Sequence, residues 1–124
     1  MKRKLPLVRN MFAVLFLLGS FSMAALAHNH LLKTEPSGSA SLQSAPQHIV
    51  LWFQEKPDLT VTKLEVKGPA GAIELGPVHL MPNNSIMADV KGKLPTGQYV
   101  VTWQTAGDDG HVSRGDFTFN VVGQ

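Results

Sequence analysis

The sequence predicts an all-β sandwich or barrel of about seven strands, which follows a short N-terminal leader. After residue 27 the apolar residues alternate with polar ones at period two, which is the periodicity of a half-buried strand. Turn-forming Gly, Pro and Asn residues interrupt this alternation roughly every eight to twelve residues, a spacing typical of sandwiches and barrels. The same region has no segment with the periodicity of a helix. These observations together favour the all-β class.

The first 27 residues are typical of an export signal. They start with a basic stretch, continue with an apolar run over residues 11–18 and end in Ala25-Leu26-Ala27, the small-x-small form that signal peptidase cleaves. Residues 11–27 number only 17, with Gly and Ser among them, whereas a membrane-spanning helix needs about 20 apolar residues. We therefore expect a signal peptide at residues 1–27 and one exported domain at residues 28–124, with His28 as its first residue.

The composition excludes several kinds of site. The 124-residue chain has no Cys, so it has no disulfide, thiolate metal site, Cys nucleophile or iron–sulfur cluster. Four of its eleven Lys and Arg residues lie in the first nine positions, which leaves seven bases against nine acids in residues 28–124. Because those seven bases are scattered, nucleic acid is not an expected partner.

Two strands and a hairpin are predicted in the first half of the domain. Apolar and polar residues alternate over residues 49–54 and again over residues 62–67. Gly68-Pro69-Ala70-Gly71 then cannot continue a strand, because Pro lacks an amide donor and Gly favours turn dihedrals. A hairpin whose return strand starts with Ile73 and Leu75 is therefore expected.

The second half has the clearest alternation. Turns are expected at residues 82–84 and 94–97, and a polar loop at residues 107–111. The strands predicted between and beyond them are residues 78–80, 85–90, 99–104 and 117–121. Tyr99 follows a Leu-x-x-Gly-x turn, so its hydroxyl either bonds back to upstream backbone, as in the tyrosine corner of immunoglobulin-like sandwiches, or only packs. The strand number favours an immunoglobulin-like Greek-key sandwich without the usual disulfide.

The candidate chemistry begins at His28. As the first residue of the mature chain, it offers its α-amine and its imidazole to the same metal ion, in one chelate ring. An α-amine has a pKa of about 8 and an imidazole a pKa of about 6.5, so neither proton is costly to displace near neutral pH. Proteolysis would thus assemble two nitrogen ligands in one residue.

Asp109-Gly110-His111 is the second candidate. Its carboxylate and imidazole are two residues apart and lie on the same side if the chain is extended there. Together with the two nitrogens of His28 they make a tetragonal N,O set, which Cu(II) prefers. Zn(II) accepts the same donors, but structural zinc sites usually recruit Cys. Taken alone, the triplet is equally typical of an ordinary polar turn.

Two further residues are weaker candidates for ligands. His30 shares a side with His28 in an initial strand and is either a further ligand or a residue of the rim. Glu55 ends a strand and is either an axial oxygen ligand or a solvated acid, and the second interpretation is favoured. His48 and His79 are expected as polar surface residues.

Few Met residues are available as metal ligands. Of the five Met residues, only Met81 and Met87 come after residue 27. Since a soft Cu(I) site of the Met-rich kind needs several thioethers together, the sequence does not predict one.

These motifs in combination resemble the CopC family of periplasmic copper-resistance proteins, including its YobA-like members. The resemblance covers the whole mature chain, and the combination is specific although each piece is not. The motifs are the Ala-His-x-His-Leu start at residues 27–31, a Pro- and Gly-containing turn at residues 34–39, the strand at residues 49–55, Leu-Pro-Thr-Gly-Gln-Tyr-Val-Val-Thr-Trp at residues 94–103, and Asp109-Gly110-His111.

The resemblance implies a periplasmic, monomeric domain that binds Cu(II) through His28, Asp109 and His111 as a carrier or buffer in copper resistance or homeostasis. It also implies exchange of the copper ion with an inner-membrane copper transporter or another periplasmic copper protein. Some members use a carboxylate at the position of Glu55. Two departures are visible, because Val112 stands where the family usually has Pro and the Met-rich segment of some members is absent.

The sequence is also compatible with two other functions. An N-terminal His with a second His looks like the histidine brace of lytic polysaccharide monooxygenases, which are copper enzymes. Only 97 residues remain after cleavage, and the strand patterns place at least half of the aromatic residues in the core rather than on a flat substrate face. Enzyme activity is therefore not expected. The other alternative is a metal-free interaction module in which His28 is an accident of cleavage.

Overall fold

A computed structural model describes residues 29–123, which form nine β-strands in two sheets. The predicted signal peptide and His28 lie outside the described residues. The strands are β1 (Leu31–Glu35), β2 (Ala40–Leu42), β3 (His48–Phe53), β4 (Lys63–Gly68), β5 (Gly71–Ile73), β6 (His79–Met81), β7 (Ser85–Asp89), β8 (Gly97–Ala106) and β9 (Val112–Val121). One sheet has the order β1-β3-β7-β6 and the other β2-β9-β8-β4-β5.

The predicted all-β sandwich is confirmed, with nine strands rather than about seven. Three of the strands, β2, β5 and β6, are only three residues long. The Ser- and Gly-containing sequence around β2 has no alternation that would have predicted it, and β2 pairs in parallel with the end of β9. Leu75, expected in the return strand, makes only an isolated bridge with Val90.

The two longest strands form the most extensive pairing in the fold. β8 and β9 pair over ten positions, from Gly97 opposite Val121 to Ala106 opposite Val112. The sequence predicts β9 only from residue 117, because its first half carries polar side chains. Backbone pairing does not require apolar side chains on the outer face, so the ladder continues to the loop at residues 107–111.

The core lies between the sheets and comes from alternate residues of β3, β7, β8 and β9. Phe53 and Trp103 meet edge to face with ring centroids 5.3 Å apart. Tyr99 and Phe119 stack at 5.2 Å with an interplanar angle of 12°. All four side chains are buried, and burial of each large apolar side chain contributes about 1.5–3 kcal/mol to folding.

The predicted turns are confirmed by backbone geometry. Gly68 pairs with Gly71 at the β4–β5 hairpin, and a Cβ at Gly68 would lie 2.2 Å from the Tyr99 ring, so no larger residue fits there. In the β6–β7 turn, Asn83 and Asn84 have φ values of 64° and 57°, a region that Asn tolerates better than most residues. The Tyr99 hydroxyl donates to the carbonyl of Pro95, which confirms the tyrosine corner.

Candidate metal centre

The loop at residues 107–111 lies at one end of the sandwich, where segments of both sheets meet. It connects β8 to β9 in the five-stranded sheet. From the four-stranded sheet, Asn29 precedes β1 and Glu55 follows β3 at this same end. The amide of Asp58 donates to the carbonyl of Ala106 at 3.0 Å and ties the segment after β3 to the end of β8.

Asp109 and His111 contact each other on a tight turn, not along the extended edge that the sequence analysis assumed. The amide of His111 donates to Oδ1 of Asp109 at 3.0 Å, and Nδ1 of His111 lies 3.1 Å from Oδ2. Gly110 between them has a φ of +77°, and its amide donates to the carbonyl of Gly107 at 3.1 Å. The two side chains therefore form one unit on a tight turn, with 56% of the His111 side chain and 29% of the Asp109 side chain exposed.

The bonds from His111 also set the charge of Asp109. The backbone amide of His111, and next its ring, lower the pKa of the Asp109 carboxyl below its ordinary value of 3.8. Asp109 is therefore a carboxylate throughout the neutral range. A carboxylate beside Nδ1 fixes the orientation of the imidazole ring.

Asn29 fixes the chain next to the expected N-terminus. Its side chain is 1% exposed, its Nδ2 donates to the carbonyl of Glu55 at 3.0 Å, and its Oδ1 accepts from the amide of Glu55 at 2.8 Å. The side-chain amide of Asn29 therefore pairs with the backbone of Glu55 as a residue of a neighbouring strand would. It holds the residue that follows His28 against the end of β3.

Glu55 has a structural contact that neither sequence interpretation included. Its Oε1 accepts from the amide of Asp108 at 3.2 Å, and the residue is half-buried rather than fully solvated. A Cβ at Gly107 would lie 2.3 Å from the same Oε1 and 3.4 Å from the Cβ of Asn29. Because Gly107 has no side chain, Asn29, Glu55 and the loop can approach each other closely. We call this set of contacts the Asn29–Glu55 clamp.

Within residues 29–123, no three His, Cys, Asp or Glu side chains are grouped closely enough to hold a metal ion. Asp109 and His111 supply two donors, and His28, the predicted third ligand residue, lies outside the described residues. His30 is exposed, and its carbonyl accepts from the amide of Gln54 at 2.9 Å. His48 and His79 are exposed, as expected.

Sequence reasoning did not identify Asn29 as part of this site. A single Asn after the cleavage point gives no periodic or motif signal. Its importance follows only from the long-range bonds to Glu55, which is 26 residues away. No helix in the described part of the chain is long and apolar enough to cross a membrane.

The fold and this loop define a family of small β-sandwich proteins, and the chain belongs to it. Residues 31–122 match the CopC domain model. The chain is 30% identical over 98 residues to Protein YobA of Escherichia coli K12, an alignment that covers 77% of this chain and 79% of the relative.

Solved structures with the same fold include a PcoC and a CopC protein. PcoC from Escherichia coli, described as a methionine-rich copper resistance protein, is 24% identical with a TM-score of 0.69 over 77% of this chain and 99% of PcoC. CopC from Methylosinus trichosporium OB3b is 21% identical with a TM-score of 0.70 over 78% of this chain and 96% of that protein.

Proposed function

We propose that the mature chain is a periplasmic Cu(II)-binding protein of copper resistance or homeostasis, with His28, Asp109 and His111 as ligands. The observation that carries the proposal is the Asn29–Glu55 clamp. It holds the residue next to His28 and the loop that bears Asp109 and His111 at the same end of the sandwich. Membership of the CopC family and the copper-resistance relatives support the choice of metal.

The donor chemistry fits Cu(II). The α-amine and imidazole of His28, the imidazole of His111 and the carboxylate of Asp109 give three nitrogens and one oxygen, a set that favours tetragonal Cu(II). Since a carboxylate has about four lone-pair positions, Asp109 can accept its bonds from His111 and still bind the ion. Binding displaces protons from the amine and imidazole nitrogens, whereas Asp109 has none to release at neutral pH.

The first test uses the mature N-terminus itself. Mass spectrometry of the exported protein is expected to place the first residue at His28. Chain 28–124 is then compared with the same chain carrying one extra residue before His28. The extension keeps every side chain but converts the amine to an amide, so Cu(II) affinity should fall by more than about a hundredfold, beyond the usual effect of losing an outer-shell partner.

His48→Ala is the matched control, because His48 is exposed at the start of β3 and lies outside the site. It should leave the affinity and the electron paramagnetic resonance spectrum of the Cu(II) form unchanged. Equal affinity of the native and extended chains would contradict the proposal. Thermal melting gives an independent readout, because Cu(II) at 100 times its dissociation constant should stabilise the fold by about 2.7 kcal/mol.

The two rival functions predict different results in these experiments. A metal-free interaction module would show no Cu(II) spectrum and no thermal shift. A copper oxidase would consume oxygen when the Cu(II) form is given a reductant, whereas a carrier binds copper without turnover.

A further inference from the structure

The first half of β9 lies on an edge of the five-stranded sheet. β2, its neighbour on the side away from β8, pairs only with residues 119–121 of β9. Next to β2, the amide of Ser39 donates to the carbonyl of Thr118 at 2.7 Å. Within residues 29–123, no backbone group pairs with the earlier part of β9 on that side. Residues 112–117 therefore form an unpaired strand segment, which we call the open edge.

The free backbone groups of the open edge belong to its even-numbered residues. The carbonyl of Thr118 and the amide of Val122 both bond to the segment that contains β2. Successive residues of a strand direct their backbone groups to opposite sides, and β9 pairs with β8 over ten positions without a register shift. Val112, Arg114 and Asp116 therefore direct their amides and carbonyls away from β8, toward the free side.

Two of these residues carry opposite charges. Arg114 and Asp116 are exposed and point away from the core, since Phe119 on the other face of β9 is buried. Nε of Arg114 donates to Oε1 of Gln104 at 3.0 Å, and neither charge has an ion-pair partner among residues 29–123. Charged side chains usually protect a sheet edge, because like charges repel when two identical edges meet. A base and an acid two residues apart give no such protection in an antiparallel pair.

One register makes the open edge complementary to itself. When two copies pair antiparallel about a two-fold axis at Gly115, Arg114 of each copy lies opposite Asp116 of the other. Because both residues direct their backbone groups to the free side, each such pair exchanges both of its backbone hydrogen bonds. Opposite charges directly across an antiparallel pair add to its stability. An axis at Arg114 or at Asp116 would instead place identical charges opposite each other.

The surroundings of the open edge favour close approach of an apolar partner. Gly115 has no side chain, and a Cβ there would lie 2.6 Å from Cζ2 of Trp103, so Trp103 packs directly against the strand. Leu32, whose side chain is 64% exposed, lines a cavity of about 380 Å³ together with Phe117 of the open edge. Val112 is a further exposed apolar residue. A second copy on this side would remove apolar surface from water and pair the open edge.

We propose that the open edge binds a second copy of this chain, in a symmetric dimer whose β9 strands pair antiparallel about Gly115. The pairing is limited to residues 113–117, because the carbonyl of Thr118 already accepts from Ser39. So short an interface predicts a weak, concentration-dependent dimer, in place of the monomer that the sequence resemblance implies. The dimer does not need copper. His111 lies four residues from the axis in each copy, so the two metal-binding loops are about 26 Å apart, at opposite ends of the paired strands.

The test measures self-association of chain 28–124 by sedimentation equilibrium, with a chelator present so that the result does not depend on the Proposed function. A monomer–dimer equilibrium is expected with a dissociation constant below about 1 mM. The amide resonances of Val112, Arg114 and Asp116 should shift as the protein concentration rises. Arg114→Asp and Asp116→Arg should each weaken the dimer at least about tenfold, because each places like charges opposite each other. A monomer at every concentration up to that limit would overturn the proposal and leave the open edge to a segment of another protein.

Mixing the two variants tests the register directly. The Arg114→Asp chain has acids at both positions and the Asp116→Arg chain has bases at both, so the mixture should form a heterodimer with the native affinity. The double variant should also regain self-association. Lys67→Asp and Glu65→Arg are the matched controls, since they make the same charge changes at exposed positions of β4, an inner strand of the same sheet. They should leave the dimer unchanged. A mixture that stays monomeric, or controls that weaken the dimer equally, would contradict the proposal.

Discussion

The two ends of β8 are both fixed by a buried side chain that bonds to backbone, but only one end carries groups suited to metal chemistry. At the first end, Tyr99 donates to the carbonyl of Pro95, four residues away, and stacks on Phe119. At the other end, Asn29 bonds to Glu55, and Glu55 bonds to Asp108, 53 residues further along the chain.

The difference lies in what each anchor supports. At the Tyr99 end the anchoring bond joins residues close together in the sequence. The ring and the hydroxyl of Tyr99 both make their contacts inside the core. The clamp joins three distant segments and leaves Asp109 and His111 exposed above them. A buried anchor beneath exposed donor groups is the arrangement expected of a preorganised binding site, whereas the same kind of anchor without donors serves the fold alone.

The largest expected effect is that of Asn29→Ala. The change removes two hydrogen bonds and leaves the amide and carbonyl of Glu55 without their partners in a half-buried position. The free energy of unfolding should fall by about 1–3 kcal/mol in denaturant titrations. Cu(II) affinity should fall as well, because the segment that carries His28 is no longer held beside the loop.

Asn84→Gly is the matched control for Asn29→Ala. Asn84 also donates from its side chain to a backbone carbonyl, that of Gln54 at 3.0 Å, but the bond is exposed. Gly tolerates the positive φ of this position, so the control removes the bond without strain. It should cost less stability and leave Cu(II) affinity unchanged. If Asn29→Ala destabilised the fold without weakening Cu(II) binding, the clamp would be structural only.

Tyr99→Phe tests the opposite end and should have a smaller effect on stability. It removes the bond to Pro95 but keeps the ring, so the free energy of unfolding should fall by about 1 kcal/mol. Cu(II) affinity should not change. A weaker Cu(II) complex in this variant would mean that the two ends of β8 are coupled, which would contradict the comparison.

Alkaline titration sharpens the same test. Burial raises the pKa of Tyr99 above its ordinary value of 10.0, because ionisation would place a charge in the core. The folded chain therefore keeps a proton that the unfolded chain releases, and the free energy of unfolding falls as the pH rises above about 10. Tyr99 is the only Tyr in the sequence, so tyrosinate absorbance should rise together with unfolding. Tyr99→Phe should lose this component of the pH dependence.

Much of the fold could be predicted from local sequence. Period-two alternation predicted the core strands, and the Gly68-Pro69-Ala70-Gly71 and Asn83-Asn84 turns needed only the dihedral preferences of their residues. β2 and the first half of β9 could not be predicted, because their pairing depends on neighbouring strands rather than on their own apolar pattern. The Tyr99 hydroxyl bond was one of two interpretations, and packing decided between them.

The candidate site was less predictable than the fold. The Asp109-Gly110-His111 motif identified the loop, since both donors lie within three residues. Asn29 and the contact of Glu55 with Asp108 are long-range, and no spacing indicates them. The β6–β7 register, which places His79 opposite Met87 and Met81 opposite Ser85, is likewise not indicated by spacing.

Glu55→Gln has the smallest expected effect. It tests whether Glu55 is a metal ligand or only positions the loop. Gln keeps a carbonyl oxygen for the amide of Asp108 but loses the charge, so stability should change by less than about 0.5 kcal/mol and Cu(II) affinity should stay the same. Glu55→Ala removes the acceptor, and should release the loop and weaken Cu(II) binding. If Gln weakened Cu(II) binding as much as Ala did, the carboxylate of Glu55 would be an oxygen ligand. The clamp would then include a metal ligand. The two ends of β8 would differ in their chemistry as well as in the sequence separation of the residues that are bonded there.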